Sequence, residues 1–277
     1  MIAVDFAYRR PDTLAGAYEL FSDLARRGEN PFYLGGGTEI VTGARTGLFT
    51  PSSVIDVKAI SDLRALAVHD GRLILGAGLS LREILAKDPW PLLSHILSRI
   101  ADHSVRTQIT LGGNLVGSIP YREAVLPFLL TESAVRLYGS GGDRWVPLAH
   151  VFTDGSLRLA AGELLVALSV PEAVTRLGGV ACKKTRFDWV DYPLVTVAAR
   201  RQPGRRIPAL AVSGLTSGPF RALRVEDALL HAGPAEIPLR ELLPEAPLDD
   251  RHGSSAYREF VFRNTLEDVL EQLGPNG

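Results

Sequence analysis

The stretch Tyr33-Leu34-Gly35-Gly36-Gly37-Thr38-Glu39-Ile40 decides how this chain is read. Phe32, Tyr33 and Leu34 form an apolar run that reads as a strand. Three glycines follow without a break, and the chain re-enters an apolar pattern through Ile40 and Val41. Successive residues without a Cβ let the backbone reach positive φ and let a ligand approach to contact distance. The N–H groups of such a turn form a concave nest for an anion, with the Thr38 hydroxyl as a further donor. A phosphate suits that chemistry, and a valine at Gly36 is expected to fill the phosphate's place and to resist positive φ.

A second loop, Thr110-Leu111-Gly112-Gly113-Asn114, offers a hydroxyl, two glycines and a side-chain amide. Two nests from separate parts of the chain would hold the two phosphates of a dinucleotide. Each charge-assisted hydrogen bond contributes about 1.5–3 kcal/mol, so a few from each loop would retain a cofactor without any lysine. The alternative is that each glycine pair is a tight turn or a close packing contact.

The rest of the 277-residue composition narrows the classes of function. The length suits one large domain or two ordinary ones. A hydrophobic fraction of 46% and a mean hydropathy of +0.10 describe a well-packed soluble protein. A formal net charge of -1 argues against nucleic-acid binding, which needs a basic excess. Arg200, Arg201, Arg205 and Arg206 flank Pro203-Gly204 and read as a hairpin tip. Met1 to Arg10 has no apolar leader core and no run approaches the ~20 apolar residues of a membrane span, so a cytoplasmic location without membrane contact is expected.

Cys182 is the single cysteine, so this chain builds neither an internal disulfide nor a four-cysteine iron–sulfur cluster. Lys183 and Lys184 are neighbours of the kind that lower a thiol pKa, but a strand cysteine is more often a small core residue. The six histidines never fall at metal-ligand spacing, and G-x-S-x-G and the G-K-[ST] of a P-loop are both missing. With hydrolase and NTPase chemistry unsupported, a redox cofactor would supply what the side chains lack.

In order, the pattern gives a helix from Asp12 to Arg27, capped by Asp12 or Thr13 and closed by Gly28, and strands at Phe32 to Leu34 and Ser53 to Val57. A hairpin follows around Asp70-Gly71. Gly76-Ala77-Gly78 imitates the start of a Rossmann fingerprint, but Leu81 stands where the third glycine belongs, so the loop reads as structural. Ser80 and Glu83 form a capping box. Further elements are a helix from Pro91 to His103, a short one from Glu123 to Thr131, a hairpin of Ala134 to Tyr138 with Arg144 to Pro147, and a strand from Glu163 to Val170. Breakers from Pro171 to Gly179 suggest a domain boundary. Beyond it come three strands, Val180 to Lys184, Leu194 to Arg201 and Ile207 to Ser213, then helices near Leu223 to His231 and Ser254 to Leu273, a small α+β unit.

With both loops placed, the chain resembles the flavin-binding medium subunit of the molybdenum hydroxylases, the group of xanthine dehydrogenase and carbon monoxide dehydrogenase. The likeness runs over nearly the whole length: Phe6-Ala7-Tyr8-Arg9-Arg10-Pro11, the Gly35 to Ile40 stretch, Arg106 through Asn114, Arg144-Trp145-Val146-Pro147-Leu148, Lys183 through Arg186 to Asp191, Gly218-Pro219-Phe220-Arg221, and Ser255-Ala256-Tyr257-Arg258. The resemblance implies an α+β fold: a two-subdomain FAD-binding domain of the vanillyl-alcohol oxidase type over residues 1–172, with an inner boundary near 58, then a C-terminal α+β domain over 173–277 with a three-stranded antiparallel sheet and helices.

Carried over residue by residue, the resemblance assigns Tyr33, Leu34, Gly35, Gly36, Gly37, Thr38, Glu39 and Ile40, with Arg106 and Thr110, Leu111, Gly112, Gly113 and Asn114, to FAD. It places the ribose-side acid at Glu123, the lysine near the flavin at Lys183 and the closing acid at Asp191. The chain departs from the family with Thr107 after Arg106, where Asn is usual, and with Glu123 one methylene longer than the usual Asp. Neither nest contains a histidine, so the FAD is expected to be non-covalent. The resemblance further implies a small subunit with 2Fe-2S clusters and a large subunit with the molybdenum cofactor. Electrons would pass through the flavin to NAD or another acceptor. A stand-alone FAD oxidase on the same scaffold, or an assembly partner without flavin, are the other readings.

Overall fold

The computed structural model describes residues 5–187 and 190–274. The first part runs β1 (Ala7–Arg9), α1 (Leu14–Arg26), β2 (Pro31–Leu34), α2 (Thr38–Thr46) and β3 (Ser53–Asp56), with the strands in the parallel order β1-β3-β2. Helix α1 forms because Leu14, Ala17 and Leu24 make one buried stripe and Thr13 accepts the Gly16 N–H at 3.0 Å. Of the three consecutive glycines, only Gly37 takes a left-handed backbone, at φ 76°, and it starts α2. Gly36 does not, so its role is not conformational freedom.

The middle part contains β4 (Leu66–His69), β5 (Arg72–Gly76), α3 (Leu81–Lys87), α4 (Pro91–Ser98), α5 (His103–Arg106), α6 (Leu111–Val116) and α7 (Leu126–Leu129). After these come β6 (Ala134–Gly139), β7 (Gly142–Pro147), α8 (Leu148–Val151), the hairpin β8 (Phe152–Thr153) and β9 (Ser156–Leu157), β10 (Leu164–Pro171) and α9 (Glu172–Thr175). Five of the strands make an antiparallel sheet in the order β4-β5-β10-β6-β7. The nearly continuous apolar run of β10, interrupted at Ser169, suits this central, buried position. The Ser80–Glu83 capping box opens α3. The single helix expected from Pro91 to His103 is instead α4, a turn through Ala101 at φ 51°, and α5. The Arg106 guanidinium accounts for the break: it donates to the carbonyls of Ser98, Ile100 and Ala101 at 2.5–3.1 Å, groups that a continuous helix would have bonded internally.

The last part has β11 (Gly179–Thr185), β12 (Pro193–Arg200), β13 (Ala209–Ser213), β14 (Phe220–Arg221), α10 (Leu223–Ala228), α11 (Leu239–Leu242) and α12 (Ser255–Leu273). Its antiparallel sheet has four strands, β11-β12-β13-β14, where three were expected. The fourth is only two residues long, too short to show a periodicity, and pairs Phe220 with Val212. Alternation along β12 divides its faces: Val195, Val197 and Ala199 pack with Phe262, Leu266 and Val269 of α12, while Ala198 belongs to the core of the preceding parts. Among the described residues, no helix is long and apolar enough to cross a membrane.

Candidate nucleotide-binding site

The two glycine loops meet. A Cβ added to Gly36 would lie 1.8 Å from the carbonyl oxygen of Gln108 and 3.3 Å from the Ile109 Cα, and one on Gly35 would lie 2.9 Å from Thr110 Oγ1. Gly36 is therefore required by backbone packing against residues 108–109, and Gly35 lies against the Thr110 side chain. Within the first loop, among the described residues, the N–H groups of Gly36, Gly37, Thr38, Glu39 and Ile40 have no acceptor in the chain. The first helical bond of α2 is Val41 N–H to the Gly37 carbonyl at 2.8 Å. Free N–H groups at a helix start, where the helix dipole is positive, attract an anion. The loop sits at the carboxyl end of β2. At the same end of neighbouring β3, Lys58 pairs with Asp56 at 2.9 Å and reaches the Gly35 carbonyl at 3.3 Å. Ligands of parallel sheets gather at that end.

The second loop differs from the open nest that was expected. It is the first turn of α6, and its donors are taken: Leu111 N–H by the Leu79 carbonyl at 2.9 Å, Gly112 N–H by Ala77 at 2.8 Å, and Gly113 N–H by Thr110 Oγ1 at 3.1 Å. A Cβ on Gly112 would lie 2.7 Å from the Ala77 Cβ. The packing alternative thus describes Gly112, and the Gly76-Ala77-Gly78 loop is the structural element it packs on. What α6 turns toward the first loop is Thr110, whose hydroxyl lies against Gly35.

Residues 4–173, more than half of the chain, match the family described as FAD binding domain in molybdopterin dehydrogenase. The chain belongs to this family. It is 27% identical over 287 residues to the carbon monoxide dehydrogenase medium chain of Afipia carboxidovorans, covering 98% of each. It is 26% identical to the xanthine dehydrogenase FAD-binding subunit of Escherichia coli O157:H7, covering 92% of this chain and 89% of that one. A crystal structure of a Cu,Mo-CO dehydrogenase in its cyanide-inactivated form superposes with a TM-score of 0.86 at 25% identity and 99% coverage of both chains. These relatives are subunits of dehydrogenases, which makes the family one of oxidoreductase subunits.

In this FAD-binding family member, most of the other residues expected at the site have partners inside the chain. Tyr33 donates its hydroxyl to the Gly162 carbonyl at 2.9 Å and stacks on Phe21 at 4.9 Å; burial lifts the phenol far above its usual range. The Leu34 side chain lies beside Gly37. Glu39 accepts from the N–H of Ser118 at 2.7 Å and from its hydroxyl. Asn114 Oδ1 accepts from Ala124 N–H at 3.1 Å, and Leu111 is fully buried.

Glu123 and Lys183 meet each other at 3.0 Å, with the Thr196 hydroxyl on the second carboxylate oxygen at 2.6 Å and the Arg99 carbonyl on Lys183 at 2.8 Å. This buried cluster joins α4, the turn before α7, β11 and β12. Asp191 accepts from Tyr192 N–H at 2.7 Å, and its Oδ2 is buried without a partner among the described residues.

Three features carry no motif signal in the sequence. Lys58 lies outside both glycine loops, and Arg122 stands outside them too, next to Glu123. Tyr121 and Tyr192 stack at 4.7 Å with His252 edge-on to both at 6.1 Å. The two tyrosines lie far apart in the sequence, and only the fold brings them together.

Proposed function

We propose that this chain is the FAD-binding electron-transfer subunit of a molybdenum hydroxylase complex. One observation carries the reading: in a member of an FAD-binding family, the N–H groups of Gly36 to Ile40 lack acceptors among the described residues, in a loop that packs against Gln108 to Thr110. The residues present therefore fit the diphosphate of FAD. The segment from Leu34 to Ile40 would hold it with backbone N–H groups and the Thr38 hydroxyl. Thr110 to Asn114 would form the opposing wall, contributing the Thr110 hydroxyl, and Lys58 would add positive charge at the base.

Tyr33, Glu39 and Arg106 would serve the site by fixing these loops. Glu123 and Lys183 would stand on the flavin side as a mutually neutralised pair, with Asp191 beyond them. Bound non-covalently, FAD supplies a carrier that takes electrons singly or in pairs. The proposal includes a vanillyl-alcohol-oxidase-type domain over 1–172, divided near 58, and a C-terminal domain over 173–277. Partners would be a small subunit with 2Fe-2S clusters and a large subunit with the molybdenum cofactor, with NAD or another acceptor, in the cytoplasm.

The test is purification of the tagged chain from its native host. A yellow protein whose released flavin is FAD, accompanied by two other polypeptides, supports the reading. A colourless chain that takes up no added FAD contradicts it. A lone flavoprotein that oxidises alcohols with oxygen would instead be a stand-alone oxidase.

A further inference from the structure

Arg122 is 4% exposed, and among the described residues its guanidinium bonds carbonyls and a hydroxyl but no carboxylate. Its Nη1 donates to the Gly117 carbonyl at 3.1 Å and Ser156 Oγ at 3.3 Å, its Nη2 donates to the Gly155 carbonyl at 2.6 Å, and its Nε has no partner among the described residues. A buried charge is ordinarily paired with an opposite one. Burial draws the guanidinium pKa down, and the anion that acts against this is Glu39.

Glu39 occupies the first turn of α2, among the N–H groups proposed to receive the diphosphate. A carboxylate there competes with an incoming anion for the same positive helix end. In this fold it is drawn aside: the Ser118 N–H and hydroxyl bind it, and Gly117 lies so close that a Cβ would sit 2.6 Å from Glu39 Oε2. Arg122 pins that same turn through the Gly117 carbonyl. On its other side, a Cβ on Gly218 would meet Arg122 Nη2 at 2.9 Å, so the turn before β14 seals the guanidinium in place.

We infer that Arg122 is a positioning residue of the diphosphate site and acts through Glu39: it holds the Gly117–Ser118 turn that keeps this carboxylate off the α2 donors, and it offsets the carboxylate's charge. The inference rests on the proposed FAD reading. It predicts coupling between two side chains, which packing around Arg122 alone would not produce.

The experiment is a double-mutant cycle on the full chain, with FAD dissociation constants from quenching of flavin fluorescence. Arg122→Met is expected to weaken FAD binding about tenfold, the size of one charge-assisted hydrogen bond. In the E39Q background the same change is expected to alter binding by no more than about twofold, the usual limit for independent sites. Arg122→Lys, which keeps the charge, is expected to fall between. If Arg122→Met does not fold, Arg122→Lys with and without E39Q completes the cycle, and its loss must shrink in the E39Q background. Unchanged binding in the Arg122 variants, or an equal loss with and without E39Q, overturns the inference. Failure of the unsubstituted chain to bind FAD overturns the underlying reading instead.

Discussion

Gly36 lies so close to Gln108 that a Cβ on the glycine would sit 1.8 Å from the Gln108 carbonyl oxygen. This contact joins the α2 loop to the segment leading into α6, and backbone atoms on the Gln108 side have no way to yield as a flexible side chain would. Even Gly36→Ala is therefore expected to cost about 1–3 kcal/mol through overpacking, and Gly36→Val more. Urea unfolding of the apoprotein checks it. A variant with unchanged stability would mean that the loops do not pack this way.

The Glu123–Lys183 pair, each side chain 3% exposed, leaves a strong signature when broken on one side. Lys183→Met strands a buried carboxylate that, among the described residues, keeps the Thr196 hydroxyl alone, and is expected to cost about 3–5 kcal/mol. Adding Glu123→Leu should recover part of that loss. Denaturant midpoints of the single and double variants measure the coupling.

Thr110 has two tasks, capping α6 through the Gly113 N–H and presenting its hydroxyl to the first loop. Thr110→Val removes both and should destabilise the chain by about 1 kcal/mol as well as weaken FAD. Thr110→Ser should retain the cap and most of the affinity. Paired thermal-melt and FAD titrations on the two variants distinguish the roles.

Asp250 supplies a pH signature. Burial alone would raise its pKa. The bonds from Arg258 at 2.8 and 3.0 Å, with the His252 N–H at 2.8 Å, outweigh burial and hold it below the usual carboxylate range. The unfolded chain takes up the proton near the ordinary value of about 3.9, so the stabilisation is complete above that pH and is lost as pH falls through the lower folded pKa. Asp250→Asn should therefore be less stable than the parent at neutral pH, with the gap closing below about pH 4. Denaturant unfolding at a series of pH values reads this directly.

The parts legible from sequence were those written in neighbouring residues. The α1 stripe, the Asp70-Gly71 hairpin, the Ser80–Glu83 box and the buried run of β10 are set by local spacing, and each appears at its expected place within a residue or two. The break between α4 and α5 was not legible, because Leu92, Leu93, Ile96, Leu97 and Ile100 keep helical spacing up to the turn and the positive φ falls on an alanine. The satisfied donors of Leu111 and Gly112 were hidden for a different reason: their acceptors, Leu79 and Ala77, belong to a loop that only the fold brings alongside. Likewise, the family resemblance assigns Glu123 to the ribose side and Lys183 to the flavin as separate expectations, and only the fold shows that the two face each other.

The proposed grip of the α2 loop on a diphosphate is measured most directly by the affinity of the purified apoprotein for FAD, FMN and riboflavin, compared under one condition. Loss of the FAD diphosphate linkage forfeits several charge-assisted bonds, so FMN and riboflavin should each bind at least about a hundredfold more weakly than FAD. Equal affinity for all three, or for FAD and FMN, would contradict the claim.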